Sequence, residues 1–240
     1  MMFENYPKER IALPEKFQKI YSEHYKKNRE GATTASSLSQ KMETWMHKKI
    51  ASDILNDSNK STLEIGAGTL NQLKYEQSKP YDIIEPSKEL YLNSPFLKNI
   101  NKIFNDIDDL PNDSKYDRIT SVATFEHIID LPKVVAKTCL LLNNQGNLRV
   151  AIPNEGSFWW KTGWKLTTGI EFKIKYNLDY EILMKHEHVN TAKEIEEILN
   201  YFYENVSCSA FGLNKKISLY KFFECKNPNI FAAKKYLDQK

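Results

Sequence analysis

The residues with the clearest chemical potential form one ordered series through the middle of the chain. Leu63-Glu64-Ile65-Gly66-Ala67-Gly68-Thr69-Leu70 sets two glycines directly behind a short apolar run. Glycine tolerates the dihedrals of a tight turn, and without a Cβ it lets a ligand approach the backbone. Glu85, within Ile83-Ile84-Glu85-Pro86-Ser87, ends the next apolar run. A carboxylate there can accept two hydrogen bonds from a ribose diol, or cap the helix that begins near Ser87. Asn105-Asp106-Ile107 closes a third run, and Ala123-Thr124-Phe125-Glu126-His127 closes a fourth. Histidine is the side chain whose ordinary pKa lies nearest neutrality, which makes His127 the leading general-base candidate; a histidine satisfied at the start of a helix is the structural alternative. Glu126 stands equally as a hydrogen-bond acceptor or as a ligand-side residue.

Two further groups invite chemistry. His186-Glu187-His188 offers two histidines without an identifiable third ligand, so no metal site is expected, and a place on the substrate-side rim is the expectation instead. Trp159, Trp160 and Trp164 either wall an acceptor pocket or bury their segment against the rest of the protein. The glycine turn is not a dinucleotide fingerprint, because the third small position of that pattern is Asn71.

The elements that position these residues alternate. Short apolar runs near residues 62–65, 81–85, 102–105, 118–123 and 147–152 read as strands separated by helices, the pattern of a parallel sheet covered on both faces. The best helix runs from 131 to 143, with Pro132 in its first turn and Gly146 after its end. Upstream, residues 14–30 and 36–56 read as two helices, the second carrying Leu38, Met42, Trp45, Met46, Ile50 and Ile54 at helical spacing, with a small polar loop at 31–36. Residues 154–190 read as irregular. Thr191-Ala192-Lys193-Glu194 is a capping box for a helix to about 203, and 206–211 and 230–233 are expected to be the last strands, joined through 215–227. The expected organisation is an N-terminal helical cap over residues 1–60 and an α/β domain over 61–240, with an inserted segment at 155–190.

Composition limits the partners. The chain has 240 residues, 41% hydrophobic and 12% aromatic. With a mean hydropathy of −0.57 it belongs with globular proteins, and no apolar stretch is long enough to cross a bilayer. Residues 1–10 carry charges and a proline where a signal peptide would place its apolar segment, and Cys139, Cys208 and Cys225 form no disulfide framework; a reducing cytoplasm is expected. Thirty-four basic residues against 31 acidic give a net charge of +3, and only Arg10, Arg29, Arg118 and Arg149 are arginines. Bidentate phosphate and base-edge contacts favour arginine, so nucleic acid is disfavoured as a partner.

Taken together, Glu64-Ile65-Gly66-Ala67-Gly68, Glu85, Asp106, the run from Ser121 to His127 and residues 146–154 resemble the successive motifs of class I S-adenosylmethionine-dependent methyltransferases. Those that carry a Glu-His pair after the fourth strand, acting on small molecules, are the most similar group. Leu70 departs from the commoner form, which has a glycine there. The resemblance implies a Rossmann-like, seven-stranded, mostly parallel sheet with an antiparallel last strand, and S-adenosylmethionine bound at the carboxyl ends of the first strands. It further implies that Glu64 orients the methionyl amine, that Gly66, Ala67 and Gly68 admit the ligand to the backbone, and that Glu85 beside Pro86 holds the ribose. Asp106 would accept from the adenine amino group with Ile107 in apolar contact, while Ala123 and Thr124 would border the methionyl end.

Glu126, Trp159, Trp160, His186 and His188 are expected on the substrate side. Arg29 could pair with the methionyl carboxylate or be a solvated helix-end charge. The expected reaction is methyl transfer to an oxygen or nitrogen of a small, sugar-like metabolite. An RNA base methyltransferase and a non-catalytic cofactor-binding protein are the alternatives, and a nicotinamide oxidoreductase is disfavoured by Asn71.

Overall fold

The computed structural model describes residues 3–18, 20, 37–55, 58–165, 169–212 and 218–239. Seven strands form one sheet: β1 (Thr62–Ile65), β2 (Tyr81–Ile84), β3 (Lys102–Phe104), β4 (Tyr116–Val122), β5 (Leu142–Pro153), β6 (Tyr203–Gly212) and β7 (Ser218–Pro228), in the order β3-β2-β1-β4-β5-β7-β6. The first five are parallel, and β7 inserts antiparallel between β5 and β6. The order reverses between β1 and β4, and in open α/β sheets that switch opens a crevice beyond the carboxyl ends of the strands.

Alternation along β5 explains the two layers. Leu148, Val150 and Ile152 face a large core shared with helices α3 (Leu131–Leu141), α7 (Ala192–Phe202) and α8 (Ile230–Leu237). Ala151 points to the opposite face, where it meets Met46 and Ile50 of helix α1 (Ser37–Ala51) and Phe222 of β7. The capping box holds: the Thr191 hydroxyl accepts from the Glu194 amide and the Glu194 carboxylate accepts from the Thr191 amide. Ile195, Ile198, Leu199 and Phe202 then recur at three and four along α7 and fill the core.

Helix α1 is fastened by two buried arginines. Arg118 of β4 donates to the Ile50 carbonyl at 3.0 Å. Arg149 of β5 donates to the Ile50 and Lys49 carbonyls at 2.9 and 2.7 Å. Carbonyls in the last helical turn have no partner within the helix, and cationic donors there also suit its negative end. The two guanidinium groups are balanced by Glu76, 2.7 Å from Arg118, by Asp53, 3.3 and 3.2 Å from the two arginines, and by Glu224.

Between β5 and α7, residues 155–190 form three short helices, α4 (Phe158–Trp164), α5 (Ile170–Tyr176) and α6 (Tyr180–Glu187), rather than the irregular stretch expected. Phe172 and Leu183 of these helices pack with Leu13 and Phe17 of the N-terminal segment in a small core of their own. That core joins stretches far apart in sequence, so no local pattern announces it.

Two expectations near the C-terminus are corrected. Residues 230–233 are not a strand; they begin α8, whose cap is Asn229, with Oδ1 accepting from the Ala232 amide at 2.9 Å. The strand is the stretch before it, β7, where Lys221 meets Glu196 and Glu224 meets Arg149, pairings that make a polar-looking segment compatible with the sheet. Gly146 likewise does not follow a helix end: α3 stops at Leu141, and Gly146 lies inside β5, where a Cβ would press on the Asp117 and Asn143 carbonyls at 3.1 and 3.0 Å. Cys139, Cys208 and Cys225 are free thiols.

Candidate active site

The crevice predicted by the strand order is present as a cleft of about 480 Å³. That is the size of a small-molecule site. Its walls are the turn after β1 with Glu64, Gly66, Ala67 and Gly68, the end of β2 with Glu85 and Pro86, and the end of β4 with Ala123, Thr124 and His127.

The turn is held by Glu85. Its buried carboxylate accepts from the Gly68 amide at 2.8 Å through one oxygen and from the Ser87 amide at 2.9 Å through the other. Glu85 thus braces the turn and the chain entering the next helix, and because a carboxylate has about four lone-pair positions, two backbone bonds leave acceptor capacity toward the cleft. The two glycines answer different demands. Gly66 has φ +72°, and a Cβ there would lie 2.3 Å from the Thr124 side chain, so Thr124 packing requires it. Gly68 has φ +51° and an added Cβ would meet nothing within 4 Å, so its bare backbone faces open space.

Leu70 keeps the left-handed conformation that a glycine would adopt, with φ 64°. The strain of about 1–2 kcal/mol is offset by burial of its side chain against Leu73, Tyr81 and Ile83, worth about 1.5–3 kcal/mol. Ala123, at φ +47°, is a second left-handed residue, at the point where β4 enters the cleft wall.

Glu64 is buried, and its Oε2 accepts from the Tyr81 hydroxyl at 2.9 Å. Burial pushes its pKa up to about 8 against the opposing effect of that hydrogen bond. A carboxyl poised near neutrality on a cleft wall can bind a cationic group and ionise as it does so.

Beyond Thr124 the cleft reaches a cluster of acids and histidines. The Glu126 carbonyl accepts from the Val189 and Asn190 amides at 2.8 and 3.0 Å, which stitches the segment after α6 onto the end of β4. Asn190, fully buried, donates to the Phe125 and Ile128 carbonyls at 2.8 and 2.7 Å. Arg10 donates to the His127 and His186 carbonyls at 2.8 and 3.1 Å. These ties bring His188 edge-on to His127, with ring centroids 4.8 Å apart. His127 Nδ1 lies 2.9 Å from the Glu187 carbonyl, and His188 Nδ1 lies 2.6 Å from Glu155 Oε2. Burial acts to lower the His188 pKa, but the bond to Glu155 and the charges of Glu126, Glu155 and Glu187 outweigh it and the net shift is upward.

The methyltransferase domain family profile matches residues 38–202. The chain belongs to this family and is a class I S-adenosylmethionine-dependent methyltransferase. No curated protein sequence matches it. Its fold is similar to that of the plantazolicin methyltransferase BpumL, crystallised with a monoazolic desmethylPZN analog and SAH, at 16% identity and a TM-score of 0.61 over 88% of this chain and 92% of that one. A possible histamine N-methyltransferase from Thermotoga maritima gives 15% identity and a TM-score of 0.57 over 88% and 98% of the two chains. The N-methyltransferase NodS from Bradyrhizobium japonicum, with SAH, gives 13% identity and a TM-score of 0.55 over 82% and 90%.

In this methyltransferase the other sequence candidates fall in different places. Asp106 is exposed and caps the short 3-10 turn Ile107–Asp109, its carboxylate accepting from the Asp108 amide at 2.9 Å, and Ile107 packs into the large core; neither is among the cleft residues above. Trp160 donates from Nε1 to Glu155 Oε2 at 2.6 Å and stands edge-on to Tyr220, so it supports the acidic cluster from behind. His186 turns away, its Nδ1 2.7 Å from the Ile11 carbonyl. The Trp159 and Trp164 side chains and all of Arg29 lie outside the described residues.

The sequence placed a helical cap over residues 1–60 but did not single out the site residues that α1 contributes. Glu43, Met46 and His47 also line the cleft, beside Asn71 and Gln72. His47 stacks on Tyr75, its Nδ1 lies 2.7 Å from Gln72 Oε1, and burial lowers its pKa. The available signal was Glu43 and His47 four apart beside the apolar stripe of a helix, a pair that shares one face.

Proposed function

We propose that this methyltransferase moves a methyl group from S-adenosylmethionine to an oxygen or nitrogen of a small metabolite, with a sugar-like polyol as the most specific candidate, and that it works in a reducing cytoplasm. The observation that carries the proposal is the continuity of one cleft from Glu85 and the Gly68 backbone to His127. The open backbone at Gly68 and the two carboxylates fit a ligand with an amine at one end and a diol in the middle. Glu64 would bind the amine, Glu85 the ribose hydroxyls, and Ala123 and Thr124 would flank the methionyl chain.

When bound, S-adenosylmethionine supplies an electrophilic sulfonium methyl, so the remaining demand is to aim an acceptor and exclude water. His127, on the cleft wall beyond Thr124, stands where an acceptor atom would lose its proton. Residues 155–190 and the N-terminal segment, packed together through Phe17 and Phe172, would close over it.

A small acceptor accords with the names of the similar proteins, a plantazolicin methyltransferase and a possible histamine N-methyltransferase. It also accords with the arginines: Arg10, Arg118 and Arg149 direct donors to carbonyls and carboxylates within the protein rather than along a surface track. No helix among the described residues is long and apolar enough to cross a membrane.

Labelled methyl transfer from S-adenosylmethionine, run on a metabolite extract and on total RNA, tests the proposal. Label in the metabolite fraction supports it. Efficient transfer to RNA at physiological salt with none to metabolites overturns it.

A further inference from the structure

The sequence joins His186 and His188 but gives them no third ligand. The fold discards that pair, since His186 faces Ile11, and builds a different set at the end of the cleft. One ligand atom from each of Glu126, His127 and His188 lies within 4.8 Å of the others. Three features make this more than proximity.

First, each imidazole has an acceptor at Nδ1: the Glu187 carbonyl for His127 at 2.9 Å and the Glu155 carboxylate for His188 at 2.6 Å. A proton held on Nδ1 makes Nε2 the lone-pair nitrogen, and metal-binding histidines are characteristically oriented in this way by a carbonyl or carboxylate behind them. Second, those supports are themselves fixed. Glu155 Oε2 also accepts from Trp160 Nε1 at 2.6 Å, Glu155 Oε1 accepts from the Gly156 amide at 3.1 Å, and Arg10 holds the His127 and Glu187 carbonyls. Third, the ligands differ in exposure as an open site needs: Glu126 is buried, whereas His127 lines the cleft wall.

We infer that Glu126, His127 and His188 form a site for a divalent transition-metal ion, with its open coordination positions on the cleft side. Two imidazoles and one carboxylate suit zinc or its first-row neighbours better than magnesium or calcium, which prefer all-oxygen shells. Three protein ligands at about 2.0–2.2 Å leave room for an acceptor oxygen, and since tetrahedral ligands at that range lie about 3.4 Å apart, binding would draw the three groups together by up to about 1.4 Å. An ion there would hold an acceptor hydroxyl and lower its pKa. That use rests on the methyl-transfer proposal; the metal site itself does not.

The test is cobalt(II) titration of the full chain after chelator treatment, followed by calorimetry and by visible absorption, which reports imidazole and carboxylate coordination. The expected result is one equivalent bound by the parent, with affinity lowered at least about tenfold by His188→Gln, lowered about 10–100-fold by Glu155→Gln, which keeps all three ligands, and unchanged by His186→Gln. If His188→Gln fails to fold, Glu155→Gln carries the comparison. No stoichiometric binding by the parent, or equal weakening by His186→Gln and His188→Gln, overturns the inference. Titration of S-adenosylhomocysteine into the same samples keeps the two proposals apart. A protein that binds it but not cobalt loses only the metal site, and one that binds cobalt but not it loses only the methyl-donor assignment.

Discussion

Two clusters of buried charge, one at the end of α1 and one beyond the end of β4, differ in how completely their members neutralise one another. Below the cleft, Arg118 and Arg149 face Asp53, Glu76 and Glu224, and their remaining donors cap the end of α1. Lys226, 3.1 Å from Glu224, brings the count to three cations against three carboxylates, and the result is a fastening. Near the cleft, Glu126, Glu155 and Glu187 surround two histidines, and Arg10 is directed at backbone carbonyls rather than at the carboxylates. The two imidazoles offset the three carboxylates less completely there, and His127 carries the cluster to the cleft wall. Buried charge therefore does not by itself mark a site; an imbalance of charge against an open cleft does.

The comparison can be broken most forcibly at Arg118. Arg118→Met leaves Glu76, whose side chain is fully buried, with the Gln72 amide but without its cationic partner, and should cost about 3–5 kcal/mol in urea unfolding. His127→Gln should cost much less. Equal losses from the two variants would erase the distinction between fastening and site.

The reverse contrast appears in chemistry. His127→Ala should slow single-turnover methyl transfer by about 10²–10⁴-fold while S-adenosylhomocysteine affinity stays near the parent's, whether the imidazole takes a proton itself or holds a cation. Parent-like single-turnover rates across pH would assign His127 to structure. Glu85→Ala should weaken S-adenosylhomocysteine by about 1.5–3 kcal/mol in calorimetry, because it removes charged acceptors and loosens the Gly68 turn.

Glu64 sharpens the comparison through pH. Its folded pKa is raised to about 8 from 4.5, with burial the main cause, so its contribution to stability is fully present below about pH 4.5 and is lost as pH rises through 8. Urea unfolding between pH 5 and 8 should show a decline that Glu64→Gln flattens; parallel profiles for parent and variant would remove Glu64 as the cause. The smallest expected effect is slower amide exchange within residues 14–58 or 155–190 when S-adenosylhomocysteine binds. Protection confined to residues 61–124 would rule against a closing cover.

The legibility of the two halves differs for a physical reason. The turn after β1, Glu85 and the Glu126-His127 pair are local patterns whose roles depend on a few consecutive residues, so their positions could be read directly. The partners of His127 could not, because Glu126 reaches residues 189 and 190, more than sixty positions away, through backbone hydrogen bonds. Residues 230–233 misled because a four-residue apolar run suits strand and helix alike, and the Asn229 cap decides between them. β7 was hidden by Lys221 and Glu224, whose partners lie on other elements.

The most direct test of the account is a crystal structure with S-adenosylhomocysteine bound. The account predicts the ribose hydroxyls on the Glu85 carboxylate, the ligand against the Gly68 backbone, and the sulfur directed past Thr124 toward His127. A ribose away from Glu85, or a sulfur facing away from His127, would contradict it.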